Sequence, residues 1–140
     1  MRLYILTFLF SFLFISCDNQ DNGAIIPFVP VYEQIDYNSI INKELWNTGG
    51  YKEINDAGYK GLIIYRESSN NFRVFDQACS YDPLESCSKV VVDESGLFLI
   101  DKCCNSTFNF SGIPTGGPAF KPLLEYNTHI EGNFLIVSNN

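Results

Sequence analysis

Short apolar or alternating runs, separated by turn-forming residues, make up most of the chain after position 28. Strands are predicted at 29–35, 51–54, 61–66, 72–76, 90–92, 97–100, 123–130 and 134–137, with a short turn or helical piece at 40–46. The turns Glu94-Ser95-Gly96 and Glu131-Gly132-Asn133 join the last four strands into two hairpins. No stretch has sustained helical periodicity. The pattern predicts an all-β antiparallel sandwich or barrel, with the abundant Phe and Tyr residues in its core.

The amino terminus has a different pattern. Met1 and Arg2 precede a nearly unbroken apolar run at 3–15, which is shorter than the roughly 20 residues that cross a bilayer as a helix. A run of this kind is typical of a secretory signal. It ends in Phe14-Ile15-Ser16-Cys17, which resembles the lipobox of bacterial lipoproteins, where the cysteine is acylated and becomes the new amino terminus.

We therefore expect a lipoprotein signal peptide at 1–16, a lipidated Cys17 with a flexible tether at 17–28, and a folded domain at 29–140. The alternative is an ordinary cleaved signal, with Cys17 as an incidental thiol. Lipid would anchor the protein to a membrane outside the cytoplasm. The acidic tether resembles export signals of surface-displayed Bacteroidetes lipoproteins, which implies the outer membrane and, as a hypothesis, its outer surface.

The net charge and the number of cysteines limit the partners and the cysteine chemistry that are expected. A formal net charge of −7 argues against nucleic acid as a partner and against an electrostatic membrane patch. Apart from Cys17, the cysteines are Cys79, Cys87, Cys103 and Cys104. An even number in a small exported domain favours two disulfides, and three pairings are open at this point.

Two cysteine-bearing loops interrupt the strand pattern. The first is Ala78-Cys79-Ser80-Tyr81-Asp82-Pro83 and continues to Cys87, and the second is Asp101-Lys102-Cys103-Cys104-Asn105-Ser106-Thr107-Phe108. Gly112-Ile113-Pro114, Gly117-Pro118-Ala119 and Leu123 follow. This order resembles the Rieske domain, with its Cys-x-His loop, hairpin, Cys-x-x-His-Gly-Ser-x-Phe loop and Gly-x-Pro segment ending in Gly-Pro-Ala. The resemblance implies a Rieske-like fold with a two-loop cysteine subdomain, and residues 58–65 resemble small Bacteroidetes-type Rieske-like lipoproteins.

The four cluster-ligand positions of that family are degenerate in this chain. Cys79 takes the place of the first ligand cysteine, and Tyr81 that of the first histidine. Asp101 takes the place of the second cysteine, and Cys104 that of the second histidine. A Rieske centre places two histidines on one iron, whereas the whole chain has one histidine, His129, in a predicted late strand. We therefore expect no metal at these positions.

The resemblance also implies a disulfide pairing. In Rieske subunits of respiratory complexes a disulfide joins the two loops, and Cys87 and Cys103 resemble that pair. Cys79 and Cys104 would then face each other across the position of the cluster. We expect them to form a second disulfide, so that a covalent crosslink replaces the metal.

Other chemistry at these cysteines is less well supported. Cys or Cys/Asp ligation of a [2Fe–2S] cluster is open, because thiolates commonly hold such clusters. Against it, the adjacent Cys103 and Cys104 would point in different directions in an extended segment, and export favours disulfides. A zinc site lacks a Cys-x-x-Cys pair and a nearby histidine. Thiol redox catalysis lacks Cys-x-x-Cys and a basic neighbour beyond Lys102.

The leading hypothesis is an envelope lipoprotein with a Rieske-like domain that has lost its cluster. It would act as a binding or structural module without enzymatic activity, and its partner would be an unidentified protein or small molecule. The alternative is a ferredoxin-like electron-transfer protein that holds a [2Fe–2S] cluster through non-standard cysteine ligands.

Overall fold

The computed structural model describes residues 24–139; the expected signal peptide at 1–16 and Cys17 lie outside the described residues. Within the described part there are ten strands and one short 3-10 helix, Ile40–Leu45. The strands are β1 (Tyr32–Asp36), β2 (Tyr51–Ile54), β3 (Leu62–Ser68), β4 (Asn71–Asp76), β5 (Val90–Val92), β6 (Leu99–Asp101), β7 (Ser106–Phe108), β8 (Pro114–Gly116), β9 (Glu125–Glu131) and β10 (Phe134–Ser138). From residue 24 to residue 139, no helix has the length and apolar character needed to span a membrane.

The strands form two antiparallel sheets. The larger sheet has the order β1-β10-β9-β4-β3-β2, and the smaller has the order β5-β6-β7-β8. Along β3, Leu62 and Ile64 belong to one hydrophobic cluster, while Ile63 belongs to a second cluster that includes Phe75 and residues of the smaller sheet. Successive side chains of a strand point to opposite faces. The continuous apolar run of β3 is therefore buried on both faces of the larger sheet.

The structure confirms the all-β prediction and both predicted hairpins. β5 pairs with β6. β9 pairs with β10 so that Glu131 faces Phe134, and Gly132, at φ 60°, supplies the left-handed backbone of the tight turn between them. β7 and β8 lie in segments where the sequence pattern predicts no strand. The first strand begins at Tyr32, later than the predicted position 29.

A buried carboxylate at the end of β4 ties three segments together. Asp76 is fully buried and accepts hydrogen bonds from the amides of Tyr59 (2.6 Å), Lys60 (3.2 Å) and Ala78 (2.8 Å). The Tyr126 hydroxyl of β9 donates a fourth, at 2.8 Å. Burial raises the pKa of Tyr126 above its usual range, and the hydrogen bond and charge of Asp76 raise it further, so the phenol stays a donor at neutral pH.

A disulfide joins the segment after β4 to the segment after β6. It links Cys87 and Cys103, whose Cα atoms are 5.5 Å apart and which are 16 positions apart in the chain. The Lys60 ammonium donates to the carbonyl oxygen of Ser88 at 2.6 Å and to that of Glu85. The first cysteine loop is therefore held both covalently, by the second loop, and non-covalently, by the segment before β3.

Replacing Asp76 with Ala should lower the free energy of unfolding by about 3 kcal/mol, because buried donors lose their shared acceptor. Urea unfolding monitored by circular dichroism measures the loss. The exposed Asp56 supplies a matched control, and Asp56→Ala should stay within about 0.5 kcal/mol of the parent. A loss below about 1 kcal/mol in Asp76→Ala would contradict the role given to this carboxylate.

The double variant Cys87→Ala/Cys103→Ala should lose about 3 kcal/mol of stability, as the chain-entropy relation gives for a loop of this length. Denaturant midpoints of parent and variant in the oxidised state measure the difference. Glu85→Ala, an exposed change in the same loop, should leave the midpoint almost unchanged. Equal midpoints for the parent and the double variant would show that the bridge adds nothing to stability.

Candidate functional site

The two cysteine loops bring three of the four degenerate ligand positions together. Cys79 follows β4, Asp101 is the last residue of β6, and Cys104 lies in the turn between β6 and β7. The Sγ atoms of Cys79 and Cys104 are 3.8 Å apart. One sulfur or carboxylate oxygen from each of the three residues lies within 4.8 Å of the others. Cys79 and Asp101 are 0% exposed, and Cys104 is half-buried.

The fourth degenerate position and the histidine lie apart from this group. Tyr81 is 42% exposed, although its backbone forms a hydrogen bond with the Cys79 sulfur. His129 lies on β9, where its ring nitrogen is 3.1 Å from a carboxylate oxygen of Glu131. Between residues 24 and 139, the grouped donor atoms are therefore two sulfurs and one carboxylate, without an imidazole.

Asp101 is the centre of the hydrogen-bond network at this site. Its Oδ1 accepts from the Cys103 amide at 2.8 Å, and its Oδ2 accepts from the Ser88 hydroxyl at 3.1 Å. The Cys104 thiol donates to Oδ2 at 3.3 Å, and the Cys79 thiol also forms a hydrogen bond with this carboxylate. The bond to the amide two residues ahead closes an Asx turn, which starts the second cysteine loop.

Burial and hydrogen bonding set the protonation states here. Burial tends to raise the pKa of Asp101, but the hydrogen bonds from Cys103, Cys79, Cys104 and Ser88 outweigh it and hold this pKa below its usual range. Burial raises the pKa of Cys79 to about 12, and the Asp101 hydrogen bond and charge act in the same direction. At neutral pH the site therefore holds an ionised Asp101 carboxylate beside a protonated Cys79 thiol.

A third loop packs against the second cysteine loop. The Ser106 hydroxyl lies 3.0 Å from the Cys104 sulfur and accepts from the Ala119 amide at 3.0 Å. Gly117 has φ 80°, and a Cβ added there would stand 2.6 Å from the Ser106 Cα. Only a residue without a side chain fits this position, so the Gly117-Pro118-Ala119 segment can lie directly over the second loop.

The cysteines of the site are in two different states. Cys87 and Cys103 form the disulfide that the resemblance implies. Cys79 and Cys104 are free thiols in the structure, with their sulfur atoms facing each other. The second disulfide, Cys79–Cys104, stays a prediction.

Three residues that the sequence analysis did not assign to the site belong to it: Ser88, Ser106 and Lys60. Ser88 contacts Asp101, and Ser106 contacts Cys104. Lys60 holds the first loop by donating to the carbonyl oxygen of Ser88. Ser106 has a sequence signal, because it stands at the serine of the family's second-loop motif, and so does the Asp101 carboxylate. An Asp that directly follows an apolar strand, with the turn of the loop two residues later, is typical of an Asx turn. Ser88 contacts Asp101 from 13 positions away, and Lys60 contacts Ser88 from 28 positions away, so these contacts leave no local sequence pattern.

The donor set does not fit a Rieske cluster. Such a centre places two histidines on one iron, and the grouped donors of the described residues include none. Thiolates bound to different irons are also separated by the iron pair and its bridging sulfides, whereas the sulfurs of Cys79 and Cys104 are 3.8 Å apart. The chemistry that the site does support is a hydrogen-bonded dithiol–carboxylate group.

No protein-family model matches the chain, and no curated protein matches it. One similar solved chain comes from a complex of reduced oxygenase and oxidized ferredoxin in carbazole 1,9a-dioxygenase, at 21% identity and TM-score 0.47, over 67% of this chain and 84% of that one. Another is the ferredoxin of carbazole 1,9a-dioxygenase from Nocardioides aromaticivorans IC177, at 16% identity and TM-score 0.49, over 81% of this chain and 100% of that one.

The structure itself places a cysteine loop after β4, a β5–β6 hairpin, a second cysteine loop and a glycine-rich third loop in the order that the sequence resemblance predicted. The domain has a Rieske-like, all-β antiparallel fold.

Proposed function

We propose that this protein is a lipid-anchored envelope protein whose Rieske-like domain holds no [2Fe–2S] cluster and serves as a binding or structural module. One observation carries the proposal: the grouped donors at the two cysteine loops are Cys79, Asp101 and Cys104. Both iron atoms of a Rieske centre would lack part of their standard ligand set, because Asp101 replaces a cysteine and Cys104 replaces a histidine.

The hydrogen bonds of Asp101 support the same proposal. A buried carboxylate without partners would be costly, but this one accepts from an amide, a hydroxyl and two thiols. The polar groups of the two loops therefore satisfy one another in the folded domain. A domain of this kind needs no cofactor to keep its loops in place, which suits a structural or binding role.

The expected disulfide between Cys79 and Cys104 forms part of this proposal. Their sulfur atoms are 3.8 Å apart, and a bond requires about 2.05 Å, so a small movement of the side chains is enough. Thiol–disulfide exchange with an oxidised partner disulfide would form the bond. The partner disulfide takes the two electrons and the two thiol protons and is released as a dithiol.

Placement in the envelope rests on the amino-terminal sequence. The apolar run that ends at Cys17 and the polar tether after it support lipidation and anchoring outside the cytoplasm, in the outer membrane. Exposure on the outer surface is the part of the proposal that depends on the acidic tether. The partner of the module is an unidentified protein or small molecule.

Electron transfer through a non-standard [2Fe–2S] cluster is the second candidate. The observation in its favour is that two thiols and a carboxylate meet at the two cysteine loops. The short distance between the sulfur atoms and the exposed position of Tyr81 argue against it. The two candidates differ in iron content, which can be measured directly.

The full-length protein, purified without air, should contain no iron or acid-labile sulfide and show no visible absorption bands. Tyr81→His/Asp101→Cys/Cys104→His restores the standard ligand set, so after reconstitution with iron and sulfide this variant should bind a cluster and the parent should not. Iron analysis and absorption spectra of both proteins test this. A coloured parent protein, or equal loading of parent and variant, would favour the electron-transfer candidate.

Cys17→Ser should move the protein from the membrane fraction to the soluble fraction of the envelope, because the acylated side chain is lost. Fractionation and detergent partitioning of cells expressing parent or variant measure the change. Asn19→Ser in the tether is the matched control and should stay in the membrane fraction. Protease added to intact cells should cleave the parent protein, and a resistant parent protein would contradict surface exposure.

A further inference from the structure

We propose that Cys79 and Cys104, when reduced, form with Asp101 a mononuclear site for a soft divalent cation of the Zn²⁺ type. The inference rests on the cluster-free site of the proposed function and assigns that site a ligand. The sequence alone disfavours zinc, because no Cys-x-x-Cys pair or nearby histidine exists. The structure supplies a different third donor, the carboxylate of Asp101.

The distance between the sulfur atoms matches a single-metal site. A tetrahedral site with Zn–S bonds of about 2.3 Å holds two thiolates about 3.8 Å apart, and Cys79 Sγ is 3.8 Å from Cys104 Sγ. A carboxylate oxygen of Asp101 lies within 4.8 Å of both sulfurs. One cation between the three atoms would therefore need only small shifts of the side chains.

Charge also favours a cation at this position. Asp101 is fully buried, and the donors that contact its carboxylate within the described residues are the Cys103 amide, the Ser88 hydroxyl and the Cys104 thiol, so no Lys, Arg or His side chain faces it. Binding of Zn²⁺ would replace the two thiol protons, which pass to solvent, and would form two Zn–S bonds and one Zn–O bond. The site then carries one net negative charge, and the cation compensates most of the charge of its three anionic ligands.

Neighbouring groups hold two of the three donors, Asp101 and Cys104, before any cation arrives. The Cys103 amide and the Ser88 hydroxyl orient the Asp101 carboxylate. Ser106, itself held by the Ala119 amide, lies against the Cys104 sulfur. Supporting groups of this kind contribute tenfold to a hundredfold to metal affinity in known sites.

The half-buried Cys104 gives the site a route to solvent. Cys79 and Asp101 are fully buried behind it, so a cation would enter from the side of the second cysteine loop. Three protein ligands leave a fourth tetrahedral position, which water or a ligand atom of a partner can take. We therefore assign a soft divalent cation as the ligand of the binding module.

Cobalt is the probe for the test, because Co²⁺ bound tetrahedrally by thiolates absorbs in the visible range and Zn²⁺ displaces it. The full-length protein is reduced and freed of reductant under argon, its folding is checked by circular dichroism, and its thiols are counted by alkylation. We expect one Co²⁺ per chain, with thiolate-to-cobalt absorption that one equivalent of Zn²⁺ removes.

The variants identify the ligands. Asp101→Asn should weaken Zn²⁺ binding at least about tenfold, and Cys104→Ser and Cys79→Ser should abolish the thiolate absorption. Asp82→Asn, a carboxylate change in the first loop outside the group of three, should bind like the parent. Cys104 is half-buried, so Cys104→Ser should fold, and its metal binding can be measured even if Cys79→Ser does not fold.

Three results would overturn the inference: no Co²⁺ bound by the folded, reduced parent; unchanged binding in Cys104→Ser; or more than one ion per chain at the thiolates. A protein that is free of iron and also fails to bind Co²⁺ would reject the cation site and leave the cluster-free module standing. A protein isolated with iron and sulfide would reject both proposals.

Discussion

The arrangement of the two cysteine loops depends on one buried carboxylate, Asp101, and on the neutral donors around it. A carboxylate removed from water is stable only where hydrogen bonds replace its hydration. Here an amide, a hydroxyl and two thiols do so, and they come from both loops. The same contacts turn the chain after β6, hold Ser88 against that strand, and place the sulfurs of Cys79 and Cys104 side by side.

Much of the fold could be predicted because its strands carry local signals. The runs of β5, β6 and β10 are mainly apolar, and that of β9 alternates between exposed and buried positions. Glycine-containing turns join β5 to β6 and β9 to β10, and the hairpins form as predicted. β7 and β8 could not be predicted from such signals. Each has three residues, with Ser, Thr, Pro and Gly among them, and each pairs because a neighbouring strand is already in place. Tertiary context overrides weak local preference in such segments.

The site was predictable in part. The order of the cysteine loops gave the positions that would meet, and Cys79, Asp101 and Cys104 lie together as the resemblance implied. It did not give the full role of Asp101: the resemblance presents a missing cysteine, and the Asx-turn signal accounts for the bond to the Cys103 amide but not for those to Ser88 and Cys104. That role depends on Ser88, which is 13 positions away in the chain. Contacts between such distant residues follow from the packing of two loops, and no periodic pattern records them.

As proposed above, these loops hold a dithiol–carboxylate group, whose polar atoms satisfy one another, in place of a two-iron centre. Native mass spectrometry of the full-length protein, isolated from membranes under argon, tests this proposal most directly, because the mass reports everything bound to the folded chain. We expect the mass of the lipidated polypeptide with one or two disulfides, or with one disulfide and a single divalent cation. A mass raised by two irons and two sulfides would contradict the proposal.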